Sequence, residues 1–184
     1  MKSKFFIQGA QGVGKSTLLQ EFVKNEKSDK CLLIDGIARN LKLEGVSYDK
    51  QTKLLDYYSY YNSYLNMYNK YIFNNNENYD KVFFIRSVLD VIVYTRLNSN
   101  CKSYPQIEKF GIELFNSIRH KVDKIIYLPI EIPLIRDGIR NNSSLFQRKF
   151  DNELLLLFDE QNIEYITLNG SLENRLQLLN ELIV

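Results

Sequence analysis

The sequence predicts an α/β fold of three layers, a five-stranded parallel sheet with helices on both faces. Three observations predict it. Short apolar runs of strand length alternate with longer helical stretches along the whole chain, the pattern that lays crossover helices over a parallel sheet. The first such run is followed at once by a glycine-rich turn and a helix. The chain has 184 residues, 45% of them hydrophobic, which suits one domain with a proper core.

The elements follow in order. Residues 3 to 8 read as the first strand, and a helix runs from Lys15 to about Lys27. Residues 30 to 35, Lys-Cys-Leu-Leu-Ile-Asp, read as a second buried strand ending in a carboxylate. From residue 50 to 73, Leu54, Tyr57, Tyr61, Tyr64, Tyr68 and Tyr71 recur at spacings of three and four, a single helical stripe. The polar run 74 to 78 ends it. Residues 81 to 85 make a third strand, with Arg86-Ser87 at its end and a helix after it. A connection from 101 to 105 leads to an amphipathic helix over 107 to 121. Residues 124 to 128 are the fourth strand, stopped by Pro129. A helix over 146 to 160, a fifth strand over 164 to 168 and a last helix capped by Ser171 complete the chain. No repeat or long linker divides it, so one domain is expected over 1 to 184. It carries a helical insert about 50 to 76 and a lid-like segment about 131 to 148.

Residues 9 to 16, Gly-Ala-Gln-Gly-Val-Gly-Lys-Ser, match G-x-x-x-x-G-K-[ST], and they stand between strand and helix as that phosphate-binding loop requires. Glycines let successive N–H groups turn inward around a phosphate, and the following helix adds its positive end. Gly9, Gln11, Gly12, Val13, Gly14, Lys15, Ser16 and Thr17 are therefore the expected nucleotide contacts. Lys15 serves the β- and γ-phosphates and the Ser16 hydroxyl serves Mg²⁺. With five strands at this length, the expected architecture is a P-loop NTPase fold of the nucleotide-kinase type.

Transfer of a γ-phosphoryl group also needs an acceptor-orienting group, cations and a cover that excludes water. Asp35, at the end of the second strand, is the candidate base or metal ligand; its alternative is a loop or cap aspartate. Arg39 follows it closely in the chain. Arg86 suits a substrate phosphate or hydroxyl, or else a salt bridge. Arg140 and Arg148 flank a polar segment that can fold over the nucleotide, or else are solvated; Arg136 is weaker on the same grounds. The tyrosine stripe is a buried helix face, a stacking wall for a base, or a homodimer contact. As a wall it offers Tyr57, Tyr58 and Tyr61 beside Arg39 and Arg86.

Together the loop at 9 to 16, Asp35-Gly36-Ile37-Ala38-Arg39, Arg86 to Asp90 with Tyr94, Asp137-Gly138-Ile139-Arg140, and Tyr165 to Ser171 with Arg175 resemble one family. It comprises the small P-loop kinases and ATPases that include nicotinamide riboside kinase domains and phage or bacterial deoxynucleoside and nucleotide kinases. The resemblance implies that Asp35 acts near the acceptor and that Asp137 to Arg140 belong to the lid. One departure stands out. Such kinases commonly carry Asp-Arg or Glu-Arg at the end of the third strand, where this chain has Ile85-Arg86. Either Asp35 or Asp90 then takes over the acidic role, or catalysis is weak, or the protein binds nucleotide without efficient transfer.

Net charge is +2, which demands no broad nucleic-acid-binding face. Two distant cysteines and one histidine argue against a zinc site. No signal peptide or membrane-length apolar run is read, so a cytoplasmic setting is expected. The sequence thus points to ATP- and Mg²⁺-dependent phosphorylation of a nucleoside or nucleoside monophosphate. Its rivals are a nucleotide-binding switch or ATPase, and a kinase acting on nucleic acid, which the charge balance disfavours.

Overall fold

The computed structural model describes residues 2–26, 30–35, 37, 40–41, 45–46, 52–74, 78–98, 104–131 and 143–183. Five strands alternate with helices as expected. They are β1 (Ser3–Gln8), α1 (Lys15–Glu26), β2 (Cys31–Ile34), α2 (Leu54–Tyr68), β3 (Lys81–Ile85), α3 (Val88–Leu97), α4 (Pro105–Ile118), β4 (Lys124–Tyr127), α5 (Ser144–Glu160), β5 (Ile166–Thr167) and α6 (Leu172–Ile183). A π-helical turn, Asn69–Phe73, extends α2, and a 3₁₀ turn, Arg119–Lys121, extends α4. The strands lie in the order β2-β3-β1-β4-β5, and every pairing is parallel. β5 is shorter than expected, two residues at one edge of the sheet that pair with β4.

Alternation along the strands assigns the two faces. On one face Phe5 stacks on Phe83 at 5.0 Å, and Phe22 of α1 meets Phe83 edge-on at 5.5 Å. On the other, Phe6 meets Phe84 at 5.3 Å and Tyr68 of α2 at 5.8 Å. All six rings are fully or almost fully buried, and truncating such a phenylalanine costs about 3–5 kcal/mol. The helix after β1 and the helices beside β3 therefore cover opposite faces. Between β1 and β3 the chain's winding changes side, and in open α/β sheets ligands bind at the carboxyl ends of strands at such a point.

Local signals fix the helix ends. Ser87 caps α3, its hydroxyl accepting from Leu89 N at 3.1 Å, with Asp90 completing a capping box. Ser143 caps α5, accepting from Phe146 N at 3.3 Å, so that helix begins two residues before the expected 146. Pro105 occupies the first turn of α4. Helices α2 and α3 run antiparallel. Tyr68 Oη accepts from Val88 N at 3.0 Å at one end, and Tyr57 Oη donates to Tyr94 O at 3.4 Å at the other. Arg96 ties α3 to α4 and α5 through Glu108, Glu153 and Glu160 at 2.7, 3.2 and 2.6 Å. Among the described residues, no helix is long and apolar enough to cross a membrane.

Candidate phosphate-binding site

The loop after β1 starts at Gly9, whose φ is +131°. A Cβ there would stand 2.4 Å from Leu128 O, so both backbone angle and space require glycine. Lys15 is buried, and its ammonium donates to Gly9 O and Ala10 O at 2.6 Å each, on the inner side of the loop. Ser16 Oγ donates to Asp35 Oδ2 at 3.0 Å, joining the loop to the end of β2. A serine hydroxyl has one proton and two lone pairs. Donating to Asp35 leaves those lone pairs for a cation.

At the end of β3, Arg86 adopts φ +76°, a left-handed backbone that a non-glycine residue enters at a cost. Its N–H donates to Ile7 O at 2.9 Å, which holds β3 to β1 at this point. Its guanidinium pairs with Asp90 and lies 5.9 Å from the centre of the Phe150 ring. Asp90 is fully buried and also accepts from Ser87 N at 3.2 Å. With the Gln8 amide oriented by its hydrogen-bond network, Gln8 Nε2 donates to Asp90 Oδ2 at 2.8 Å. Asp90 is thus surrounded by donors and works as the helix cap that aims Arg86. Asp35 keeps an exposed setting beside Ser16, which makes it the better of the two carboxylates for a metal or its water.

Three buried polar side chains lie by the loop; Arg175 entered the sequence analysis only as part of the family resemblance, and Gln147 and Asp151 carried no signal there. Gln147 of α5 donates through Nε2 to Gln11 O at 2.6 Å. Arg175 of α6, only 1% exposed, donates to Val13 O at 2.7 Å and to Glu131 Oε2 at 2.8 Å. Asp151 of α5 accepts from the Tyr127 hydroxyl at 2.8 Å. Burial pushes the Asp151 carboxyl up, while the Tyr127 hydroxyl, the Ala10 backbone and the Lys15 ammonium pull it back down. Burial likewise raises the Tyr127 phenol. Arg175 beside Glu131 holds the Glu131 carboxyl below its ordinary range.

The expected site residues divide. The loop from Gly9 to Thr17, Asp35 and Arg86 gather at the carboxyl ends of β1, β2 and β3. Arg148 is exposed on α5, one residue beyond Gln147. Arg39, Arg136 and Arg140 lie outside the described residues. Tyr57 and Tyr61, expected as a wall beside Arg86, are instead 1% and 0% exposed in the helical core. The correction has a geometric reason. Because α2 runs antiparallel to α3, Tyr57 meets Asn98 and Tyr94 at the far end of α3. Tyr61 packs against Phe110 of α4 at 5.3 Å. The stripe's other end reaches the site. Tyr64 is raised well above the ordinary tyrosine value by burial first, then by Asp90 and Tyr68, with Arg86 opposing and Asp35 adding. Its ring lies 5.8 Å from that of Tyr68, whose hydroxyl accepts from Val88 N just beyond Arg86. Strand order and helix direction would have had to be known to choose Tyr64 over Tyr57.

A family model described as AAA domain matches residues 4–175. The chain belongs to the AAA domain family. No curated protein matches this family member. Among solved structures it is similar to the NadR protein in complex with NR, with a TM-score of 0.79 at 18% identity. That match covers 98% of this chain and 50% of NadR, so the chain spans about half of NadR's length. It is also similar to the deoxyadenosine kinase from M. mycoides with its products dCMP and dCDP, with a TM-score of 0.68 at 15% identity. Coverage there is 97% of this chain and 98% of the kinase. Thymidylate kinase from Candida albicans gives a TM-score of 0.68 at 16% identity, over 99% and 91% of the two chains. The AAA domain of this chain thus has the fold of the P-loop nucleoside and nucleotide kinases.

Proposed function

We propose that the chain is an ATP- and Mg²⁺-dependent kinase that phosphorylates a nucleoside or nucleoside monophosphate. One observation carries the reading. The phosphate loop, Asp35 and Arg86 converge at the ends of three neighbouring strands, with Ser16 and Asp35 already 3.0 Å apart. The likeness of fold to NadR and to the two kinases supports it. Loop N–H groups and Lys15 hold the triphosphate. Ser16 and Asp35 offer two oxygen ligands for Mg²⁺, an ion that takes few protein ligands and keeps several waters. When bound, the metal neutralises the charge of the moving phosphoryl group. In transfer, the acceptor oxygen bonds to the γ-phosphorus as the bridging P–O bond breaks and ADP leaves with its electron pair. The acceptor's proton passes to Asp35. Arg86, aimed by Asp90, faces the acceptor, and Tyr64 borders it. Arg140 and Arg148 belong to a lid about 131 to 148, with Arg39 and the helical insert about 50 to 76 on the acceptor side.

A second reading, a nucleotide-driven switch or ATPase, draws on Ile85 standing where related kinases carry an acid. Incubating the protein with γ-labelled ATP and a panel of nucleosides, monophosphates and oligonucleotides separates these readings. Label on a small acceptor is the expected result. Label released only as free phosphate selects the ATPase, and label on the oligonucleotides selects the nucleic-acid kinase.

A further inference from the structure

The phosphate loop is held from behind by two side chains that belong to neither its motif nor its strand. Gln147 Nε2 reaches Gln11 O at 2.6 Å, and Arg175 Nη1 reaches Val13 O at 2.7 Å. Both side chains are buried, at 3% and 1% exposure. Lys15 takes the Gly9 and Ala10 carbonyls from within the loop. Gln147 and Arg175 take the alternate carbonyls of Gln11 and Val13.

A peptide unit is planar and trans, so its C=O and N–H point in opposite directions. The carbonyl of Gln11 shares a peptide with the N–H of Gly12, and that of Val13 with the N–H of Gly14. Gly12 and Gly14 have φ of +78° and +90°. Glycine tolerates such angles but does not by itself choose them. Something else must select the peptide orientation, and a donor fixed to the carbonyl does so.

Arg175 is itself fixed. Its Nη2 pairs with Glu131 at 2.8 Å, and Glu131 accepts from Gly170 N at 2.7 Å. A buried arginine needs such a counter-charge. Gln147 is set by the Ser143 cap, which starts α5 one turn before it.

We propose that Gln147 and Arg175 are positioning residues of the phosphate loop: by holding the Gln11 and Val13 carbonyls outward, they turn the Gly12 and Gly14 N–H groups toward the phosphates of a bound nucleoside triphosphate. This rests on the nucleotide-binding reading above. Preorganised N–H groups avoid reorganisation when charge arrives. The pair acts from two helices, so the loop's shape depends on how α5 and α6 dock.

Calorimetry with Mg²⁺ and either AMP-PNP or inorganic tripolyphosphate tests it, in the wild-type chain and in Gln147→Met, Arg175→Met, Arg175→Lys and Asn98→Leu. Loss of one neutral hydrogen bond predicts about three- to tenfold weaker binding in Gln147→Met. Arg175→Met should lose more, and Arg175→Lys should recover part of it. The loss should be equal for AMP-PNP and tripolyphosphate, because it lies in the phosphate contacts. Asn98→Leu removes a buried polar group far from the loop; it should lower the melting temperature and leave both affinities unchanged. If Gln147→Met binds tripolyphosphate as the wild type does, the proposal is overturned, whatever happens to melting. If Arg175→Met does not fold, Gln147→Met and Arg175→Lys still decide. A wild-type chain that binds neither probe overturns the nucleotide reading itself.

Discussion

Behind the phosphate loop, Gln147, Asp151 and Arg175 are at most 9% exposed and each makes a defined hydrogen bond. At the strand ends before it, Asp35 is exposed, and Ser16 and Arg86 are half-buried. The first region bonds the loop's backbone carbonyls. The second presents polar groups to solvent. Side chains at the rear are therefore expected to act through phosphate affinity and stability, and side chains at the front through turnover. Variants on each side test whether that division is real.

The largest effect should come from the front. Asp35→Asn keeps the size of the side chain and can still accept from Ser16, but it cannot take a proton. General-base assistance is worth about 10²–10⁴-fold, so kcat should fall by that much while ATP affinity and melting hold. A kcat within about threefold of the wild type would reduce Asp35 to a cap. Lys15→Ala comes next. Loss of one charge-stabilising donor costs about 10²–10³-fold in rate, and here ATP affinity should weaken as well. Unchanged affinity by calorimetry would break the assignment of the loop.

Away from both regions lies the helical core, and Gly111→Ala probes it. A Cβ there would meet Tyr61 Oη at 2.6 Å and Ile92 Cγ1 at 2.7 Å. Overpacking of this kind costs about 1–3 kcal/mol. Melting should drop with KM for the acceptor unmoved, since Tyr61 is core and not pocket. A raised acceptor KM without a change in melting would return Tyr61 to the site.

The smallest effect belongs to Glu131 and depends on pH. Arg175 lowers its carboxyl in the folded chain, so the folded state binds that proton less readily than the unfolded one. The resulting stability is present above the ordinary glutamate range and is lost as pH falls through the lowered value. Glu131→Gln should therefore melt earlier than the wild type at pH 7, with the gap closing as pH falls through the lowered value. A gap that widened in acid would reverse the sign and remove the Arg175 pairing as its cause.

How much of this was legible in the sequence follows from the range of each interaction. The loop from Gly9 to Ser16 is written in consecutive residues, and so is its place between a strand and a helix. The Ser87 cap with Asp90 was also local, because a serine three residues before an acid is a capping pattern. Asp90 as the partner of Arg86 could have been read from a spacing of four. Gln147 and Arg175 could not. Their loop partners lie far away in the chain, Gln11 for one and Val13 for the other, and only the docking of α5 and α6 brings them together. The tyrosine stripe lies between these cases. Its periodicity gave the helix and its buried face, but not which end lies near β3. That depends on α2 running antiparallel to α3.

The strand order has a consequence in time. β1 is the central strand, and it pairs with β3 from Ser3↔Lys81 onward and with β4 from Phe5↔Lys124 onward. Neither partner is its neighbour in sequence. During synthesis at roughly 5–20 residues per second, the partners of Phe5, Phe6 and Ile7 on β4 leave the ribosome on the order of 6–25 s after them. Until β3 emerges, on the order of 4–16 s after β1 at that rate, this apolar strand has both edges open, the kind of segment that aggregates when it waits; the edge that β4 takes stays open longer. Helix α1 is thus the first protection of the strand that later carries the phosphate loop. Substitutions at Leu18, Leu19 or Phe22, all buried, would lower the yield of folded chain before they altered any property of the finished molecule.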